Sequence, residues 1–294
     1  MTQTHDLRLV FWNVRDLGND QFISDETSRL ETIKDLIVDN DVDVMCLTEV
    51  ADPAITTRLE DVLPKNYSVV LSDSPNRHHL AVIFKNAAAH NNITVTQRNE
   101  FTGPKNKERV YPLIEVEQGE HKLAILGMHA KAGVGSYNFK IRRERLQTVA
   151  GLAASLRSDQ VPFIAFGDLN TLGNNSQITA QDEIIRTKRM LYGPSGDDGF
   201  ANLPSGRLVL LEKDHPTSWL GVGEFAKYGQ SNMDHVFVSQ GFTDNIINVN
   251  DTGAKVHVGG WPEVTGDAAR QKWVYDNSDH GYLMLDVKFG KPSP

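Results

Sequence analysis

The chain is nearly without sulfur chemistry: its 294 residues include one cysteine, Cys46, set in the apolar run Val42–Leu47. A lone thiol forms no internal disulfide, so nothing calls for an oxidising compartment, and a zinc site built on thiolates is excluded. No apolar stretch approaches the length of a membrane span. The start, Met1 to Asp6, has no basic region followed by an apolar core, so no signal peptide is visible and a cytoplasmic location is expected. Positive charge is short as well: 30 Lys and Arg against 38 Asp and Glu leave a net charge of −8. That balance weighs against a general nucleic-acid binder, although a local basic patch and a bound cation can offset the mean field near a site. Internal repeats, low-complexity tracts and linker-like charge runs are missing too, so a single domain over 1–294 is expected.

What the sequence does have is a hydrophobic content of 39%, enough for a sizeable core, and one stretch that the rest serves. Val161 to Thr171 begins as a continuous apolar run, the pattern of a strand buried on both faces, and stops at Gly167-Asp168-Leu169-Asn170. Asp168 and Asn170, two residues apart at a strand end, point the same way. The carboxylate can take a proton from water or bind a metal, and the amide can donate to a phosphate oxygen. The plainer alternative is an Asx-type turn.

Other strands are predicted at Leu7–Trp12, ending at Asn13; at Val42–Leu47, with Glu49 just past its end; and at Tyr67–Leu71, Leu80–Phe84, Ile93–Thr96, Val110–Val116 and Lys122–Met128, the last delivering His129. Met233–Val238, with Asp234 near its start, and Tyr282–Val287, preceded by Ser278-Asp279-His280, close the chain. Helical spacing predicts helices over Ser24–Asn40, capped by Ser24 or Asp25, and over Ala54–Leu63, Asn138–Arg157 and Asp182–Leu191. Gly193–Gly206 reads as a glycine-rich loop, and Asn250–Asn277 as the longest irregular piece. Consecutive strands with helices interspersed favour an α+β fold of two packed sheets with helices outside them. Arg142, Arg143 and Arg145 read as a solvated basic helix face, with contact to substrate phosphates as the sharper alternative. His78-His79 reads as a solvated loop pair, with a second metal as the alternative.

Asn13, Glu49, His129, Asp168, Asn170, Asp234, Asp279 and His280 each flank an apolar strand. If those ends share one rim, carboxylates, amides and imidazoles gather there, a donor set suited to Mg²⁺ or Mn²⁺. In this order, from Trp12-Asn13 through Gly-Asp-Leu-Asn-Thr to Ser278-Asp279-His280, the set resembles the endonuclease/exonuclease/phosphatase superfamily, especially bacterial members with a Trp-Pro-containing loop before Ser-Asp-His. The resemblance implies a four-layer α/β/β/α sandwich of two mixed β-sheets flanked by helices, and metal-dependent hydrolysis of a phosphate ester. It makes Glu49 the main metal ligand, with Asn13 and Asp279 beside it. Asp168 would activate water, Asn170 and Arg109 would hold phosphate, His280 would contact phosphate with Asp234 behind it, and His129 would bind phosphate or assist the leaving group.

A phosphodiester in nucleic acid or a nucleotide is the favoured substrate. A phosphoinositide or sphingomyelin-type head group is the runner-up, with Trp219, Trp261 and Trp273 as candidates for a membrane-facing loop. A binding module that kept the fold without catalysis is the remaining rival. Where deoxyribonuclease-like members carry an acid that orients the histidine, this chain has Asn76-Arg77-His78-His79, so no carboxylate from that stretch can hold His129 as a cation. The oligomeric state has no reading in the sequence.

Overall fold

Side chains alternate along the first strand, Leu7–Leu17 (β1), and divide the interior in two. Leu7, Leu9 and Phe11 enter a core between two sheets, while Val10, Trp12 and Val14 face a second core under helices. The computed structural model describes residues 6–19, 25–74, 78–86, 92–101, 109–174, 177–193, 206–249 and 253–289.

After β1 come the helix Glu26–Asp39 (α1), the strand Val44–Val50 (β2), the helix Ile55–Val62 (α2), and the strands Tyr67–Leu71 (β3), His79–Lys85 (β4), Asn92–Arg98 (β5), Tyr111–Gln118 (β6) and His121–His129 (β7). The long helix Ser136–Ser158 (α3), the strand Phe163–Asp168 (β8) and the helix Ala180–Tyr192 (α4) follow. The last part holds Leu208–Leu210 (β9), Trp219–Leu220 (β10), Gln230–Ser231 (β11), Asp234–Ser239 (β12), Ile246–Ile247 (β13), His257–Gly259 (β14), the helix Asp267–Asp276 (α5) and Tyr282–Val287 (β15).

One sheet runs β13-β15-β1-β2-β4-β3, with β14 also on β15; the other runs β5-β6-β7-β8-β12-β9; β10 and β11 form a small ribbon. Both sheets are mixed: β1 is parallel to β2 and antiparallel to β15, and β7 is parallel to β8 while β8 and β12 are antiparallel. Helices α1 and α2 and Trp273 of α5 cover the first sheet through Leu30, Ile33, Ile37, Ile55 and Leu59. Helices α3 and α4 cover the second through Leu146, Val149, Ala150, Ala153, Met190 and Leu191. This is the four-layer α/β/β/α sandwich. No helix among the described residues is long and apolar enough to cross a membrane.

Four sequence expectations are corrected. Glu49 lies inside β2, not past its end, because β2 carries a bulge: pairing with β4 runs through Thr48 and resumes at Val50. Asn250–Asn277 is not irregular, since β14, a short 3₁₀ turn at Trp261–Glu263 and α5 occupy most of it. Arg142 and Arg145 are buried, not a solvated face; the Arg142 guanidinium pairs with Glu183 of α4 at 2.7 and 2.9 Å. Trp219 and Trp261 are buried and Trp273 packs on Trp12, whereas Phe225, Tyr228 and Tyr275 are among the exposed aromatics. Most of Gly193–Gly206 lies outside the described residues.

His257 of β14 ties this late segment down. Its Nδ1 lies 2.7 Å from Asp214 Oδ2, and its Nε2 lies 3.2 Å from Glu263 Oε1. Burial alone would lower the His257 pKa, but Glu263 and Asp214 outweigh it and raise the value. A raised folded-state pKa contributes stability fully present below the unfolded value of about 6.5 and lost as pH rises through the folded value. His257→Gln should therefore lower the melting temperature more at pH 6 than at pH 9. Equal losses at both pH values would mean that the imidazolium does not contribute.

Candidate active site

Register places the site. His129 ends β7 opposite Asp168 at the end of β8, and Asp234 begins β12 opposite Asp168 on the other side. Gly167 lets β8 approach this closely, because a Cβ there would sit 2.1 Å from the Met128 carbonyl oxygen. On the facing sheet, β1 and β2 pair through Asn13↔Thr48 and resume at Leu17↔Val50. Val14, Arg15 and Asp16 thus bulge against Glu49 alone. Arg15, Asp16 and Glu49 adopt left-handed backbone with φ of 42°, 50° and 61°, strain of the kind that concentrates at functional sites.

The two rims meet at Asp168. Its Oδ1 accepts the Asn170 backbone N–H at 2.8 Å, so the Asx-type turn is real. Its Oδ2 faces the other way and accepts from Asn13 Nδ2 and Asn170 Nδ2, each at 3.0 Å. His129 Nε2 lies 3.7 Å and His280 Nε2 4.0 Å from the same oxygen. Asn170 tolerates φ of 49° because its short polar side chain bonds locally, and its second N–H reaches Ala130 O at 3.2 Å.

Asn13 has both amide protons engaged. Nδ2 donates to Asp168 and to Glu49 Oε1 (3.1 Å), and Oδ1 accepts the Arg15 backbone N–H at 3.0 Å. The amide therefore presents nitrogen, not oxygen, to the carboxylates. Asp279 is not in the group of ligand atoms that joins Glu49, His129 and Asp168, although the Glu49 charge reaches it; its Oδ2 accepts from Trp219 Nε1 at 3.0 Å and lies 3.8 Å from Arg15 Nε. Arg109 donates to the carbonyls of His129 and Ala130 at 3.3 and 2.9 Å, bracing the end of β7.

His280 Nδ1 donates to Asp234 Oδ2 at 2.8 Å. Burial opposes its charge, but Asp234, Asp168 and Asp279 outweigh burial and raise its pKa, so the ring is a cation whose Nε2–H faces the site. His129 is the opposite case. Burial and the Arg109 charge push it down to about 3 despite Glu49, leaving a neutral ring; among the described residues neither ring nitrogen has a hydrogen-bond partner. The carboxylate expected to be missing near His129 comes from elsewhere: Glu49 Oε1 lies 3.4 Å from its Nε2.

Burial would raise Glu49, but the His129 ring, His280 and the Asn13 amide hold it below the usual carboxylate range. Asp168 moves up, from burial first and then from the Asp234 and Glu49 charges, which makes it a stronger base. Glu49, His129 and Asp168 offer ligand atoms all within 4.8 Å of one another. A charged carboxylate beside orphaned imidazole nitrogens, with no sulfur, fits a divalent cation.

Several positioning residues were not foreseen. Ser278 Oγ donates to Asn13 O at 2.6 Å and accepts from His280 N at 3.1 Å, locking the two strand ends together. Ser218 Oγ accepts the Asp234 N–H at 3.0 Å, and Trp12 Nε1 donates to His280 O at 3.0 Å. Ser278 lies in the motif itself and Trp12 beside Asn13; Ser218 had no local signal.

A four-layer sandwich whose sheets bring acids, amides and imidazoles to one rim is the frame of the metal-dependent phosphoesterases. The chain belongs to the endonuclease/exonuclease/phosphatase family, whose model matches residues 10–254. Solved structures share the fold at low identity. D. rerio TDP2 complexed with single-strand DNA product aligns over 96% of this chain and 99% of its own, at 13% identity and TM-score 0.64. A mannosyl-6-phosphatase from Bacteroides thetaiotaomicron aligns over 97% and 100%, at 15% identity and TM-score 0.60. The human Nocturnin catalytic domain with bound sulfate aligns over 97% and 94%, at 17% identity and TM-score 0.56. Among curated proteins, none matches the sequence.

Proposed function

We propose that this protein is a Mg²⁺- or Mn²⁺-dependent phosphodiesterase that cleaves its substrate by attack of an activated water, acting on nucleic acid or a nucleotide. The observation that carries the proposal is the convergence on Asp168 Oδ2 of Asn13 and Asn170 at 3.0 Å, with His129 and His280 just beyond. A buried carboxylate of raised basicity, framed by neutral donors and one imidazolium, suits deprotonation of water beside an anion. Among proteins of this fold, the TDP2 structure with a DNA product supports a nucleic-acid substrate.

Asp168 takes the proton as the water oxygen bonds to phosphorus and the ester oxygen departs. His280, kept cationic by Asp234, donates from Nε2 to a non-bridging oxygen, where charge builds. Neutral His129 contributes an N–H to the same group, and Asn170 can turn one amide proton from Ala130 O to phosphate. Glu49, with Asn13 and Asp279, would hold the divalent cation; Asn13 would serve through oxygen once its amide turns over. When bound, the cation supplies positive charge that stabilises the phosphoryl transition state.

One experiment tests this reading. A panel of model diesters, monoesters, plasmid DNA, RNA and phospholipids is assayed with Mg²⁺ or Mn²⁺ and with chelator. Diester cleavage should appear only with metal, and Glu49→Gln should weaken metal binding and activity together by about 10²-fold, roughly 3 kcal/mol. Full activity of a metal-stripped sample in chelator would end the proposal, and monoester-only turnover would move it to a phosphatase.

A further inference from the structure

His78 and His79 face different ways. His79 sits at the head of β4, and its Nδ1 lies 2.9 Å from Ser72 O. His78 is half-buried and turned toward the site: its ring stands edge-on to that of His129 at 6.4 Å, and its Nδ1 lies 3.7 Å from Asp16 Oδ1. Asp16, Glu49 and His78 form a group whose ligand atoms all lie within 4.8 Å of one another, distinct from the group that joins Glu49 to His129 and Asp168. Two ligands bound at about 2.1 Å to one ion stand roughly 3–4 Å apart, so this spacing is nearly that of a formed site.

Two further observations point to a cation. Asp16 Oδ1 is buried and accepts no hydrogen bond among the described residues. An unsatisfied buried carboxylate oxygen is costly, and the backbone bears left-handed strain at Asp16 and Glu49 to bring both carboxylates here. Two carboxylates with an imidazole leave a net negative charge, which a divalent ion would balance. The imidazole separates Mn²⁺ from Mg²⁺: Mn²⁺, the first ion in the affinity order of the divalent transition metals, accepts a mixed set of carboxylates and one nitrogen, whereas Mg²⁺ demands near-ideal octahedral oxygen geometry and keeps its waters.

We propose that Asp16, Glu49 and His78 form a second divalent-cation site that shares the Glu49 carboxylate with the catalytic centre and takes Mn²⁺ in preference to Mg²⁺. The inference rests on the proposed metal site only through that shared side chain. The test counts ions on metal-stripped full-length protein, using electron paramagnetic resonance of free Mn²⁺ during titration, with Mg²⁺ as competitor. Wild type should bind two Mn²⁺, only one of them displaced by Mg²⁺.

Asp16→Asn suits the test because asparagine tolerates left-handed φ, so the bulge is kept while the charge is removed. Asp16→Asn and His78→Ala should each weaken the Mg²⁺-resistant ion by at least ~10²-fold, at or beyond the upper range for losing an outer partner. They should also remove the extra rise in melting temperature that Mn²⁺ gives over Mg²⁺. An equal Mn²⁺ count and equal thermal shift in wild type and both variants would overturn the second site and leave the first standing. If Glu49→Gln also binds Mn²⁺ as wild type does, the catalytic metal site falls with it.

Discussion

Glu183→Ala should melt about 10 °C below wild type, and its turnover should fall as well. The Arg142–Glu183 pair is fully buried, so removing one partner leaves an uncompensated guanidinium in the interior, a loss of about 3–5 kcal/mol. A protein of this size shifts its melting temperature by roughly 2–4 °C per kcal/mol. The effect on turnover has a separate cause. Arg142 donates to the carbonyls of Lys131 and Gly133, just after His129, and to Gly173, just after Asn170. Glu183 accepts the Gly173 N–H at 2.6 Å. The pair therefore stitches together the two loops that leave β7 and β8 at the site. Calorimetry of Glu183→Ala beside an activity assay checks both parts, and a loss under ~1 kcal/mol would mean that water or a neighbour restores the guanidinium's partner.

Asp168→Asn should lower kcat by about 10³-fold, within the usual contribution of a general base. Its stability, measured in chelator, should fall far less than that of Glu183→Ala. Burial and the charges of Asp234 and Glu49 already disfavour the ionised Asp168 in the folded protein, so neutralising it relieves repulsion. The relief offsets the mismatch of a new amide facing Asn13 and Asn170. Turnover near the wild-type rate would reduce Gly-Asp-x-Asn to its Asx turn.

The strand ends that carry these residues were legible because buried strands write themselves as short apolar runs. Tyr67–Leu71 and Tyr282–Val287 have the same limits in sequence and structure, and the four-layer order follows from such runs and the resemblance. What escaped has identifiable causes. Glu49 and Asp16 are aimed by left-handed bulges at residues other than glycine, which leave no trace in periodicity. Arg142 did leave one: it lies three residues after Phe139 and four before Leu146, on the apolar stripe of α3, where a charge implies a buried partner. That partner is 41 residues away on α4, beyond any local pattern. In α5 only Val274 is buried, so its apolar face was too thin to be seen. His78 owes its place to long-range geometry alone.

The position of β15 sets the order in which the protein can be built. It pairs with β1 from Leu7↔Val287 to Phe11↔Leu283 and brings His280 to Asn13, while Arg8 bonds to Asp286 across 278 residues of chain. During synthesis, β1 emerges early and must wait for its neighbour on that side until almost all of these residues have been made. Contacts of such sequence separation form late and slow the search for the native state. Until then β1 shows a nascent chain's neighbours an unpaired edge, the hazard that chaperones meet in proteins of this size. A chain stopped short of residue 280 carries Asp168, Glu49 and His129 without His280, so the rim that joins the two sheets is completed only when the last strand arrives.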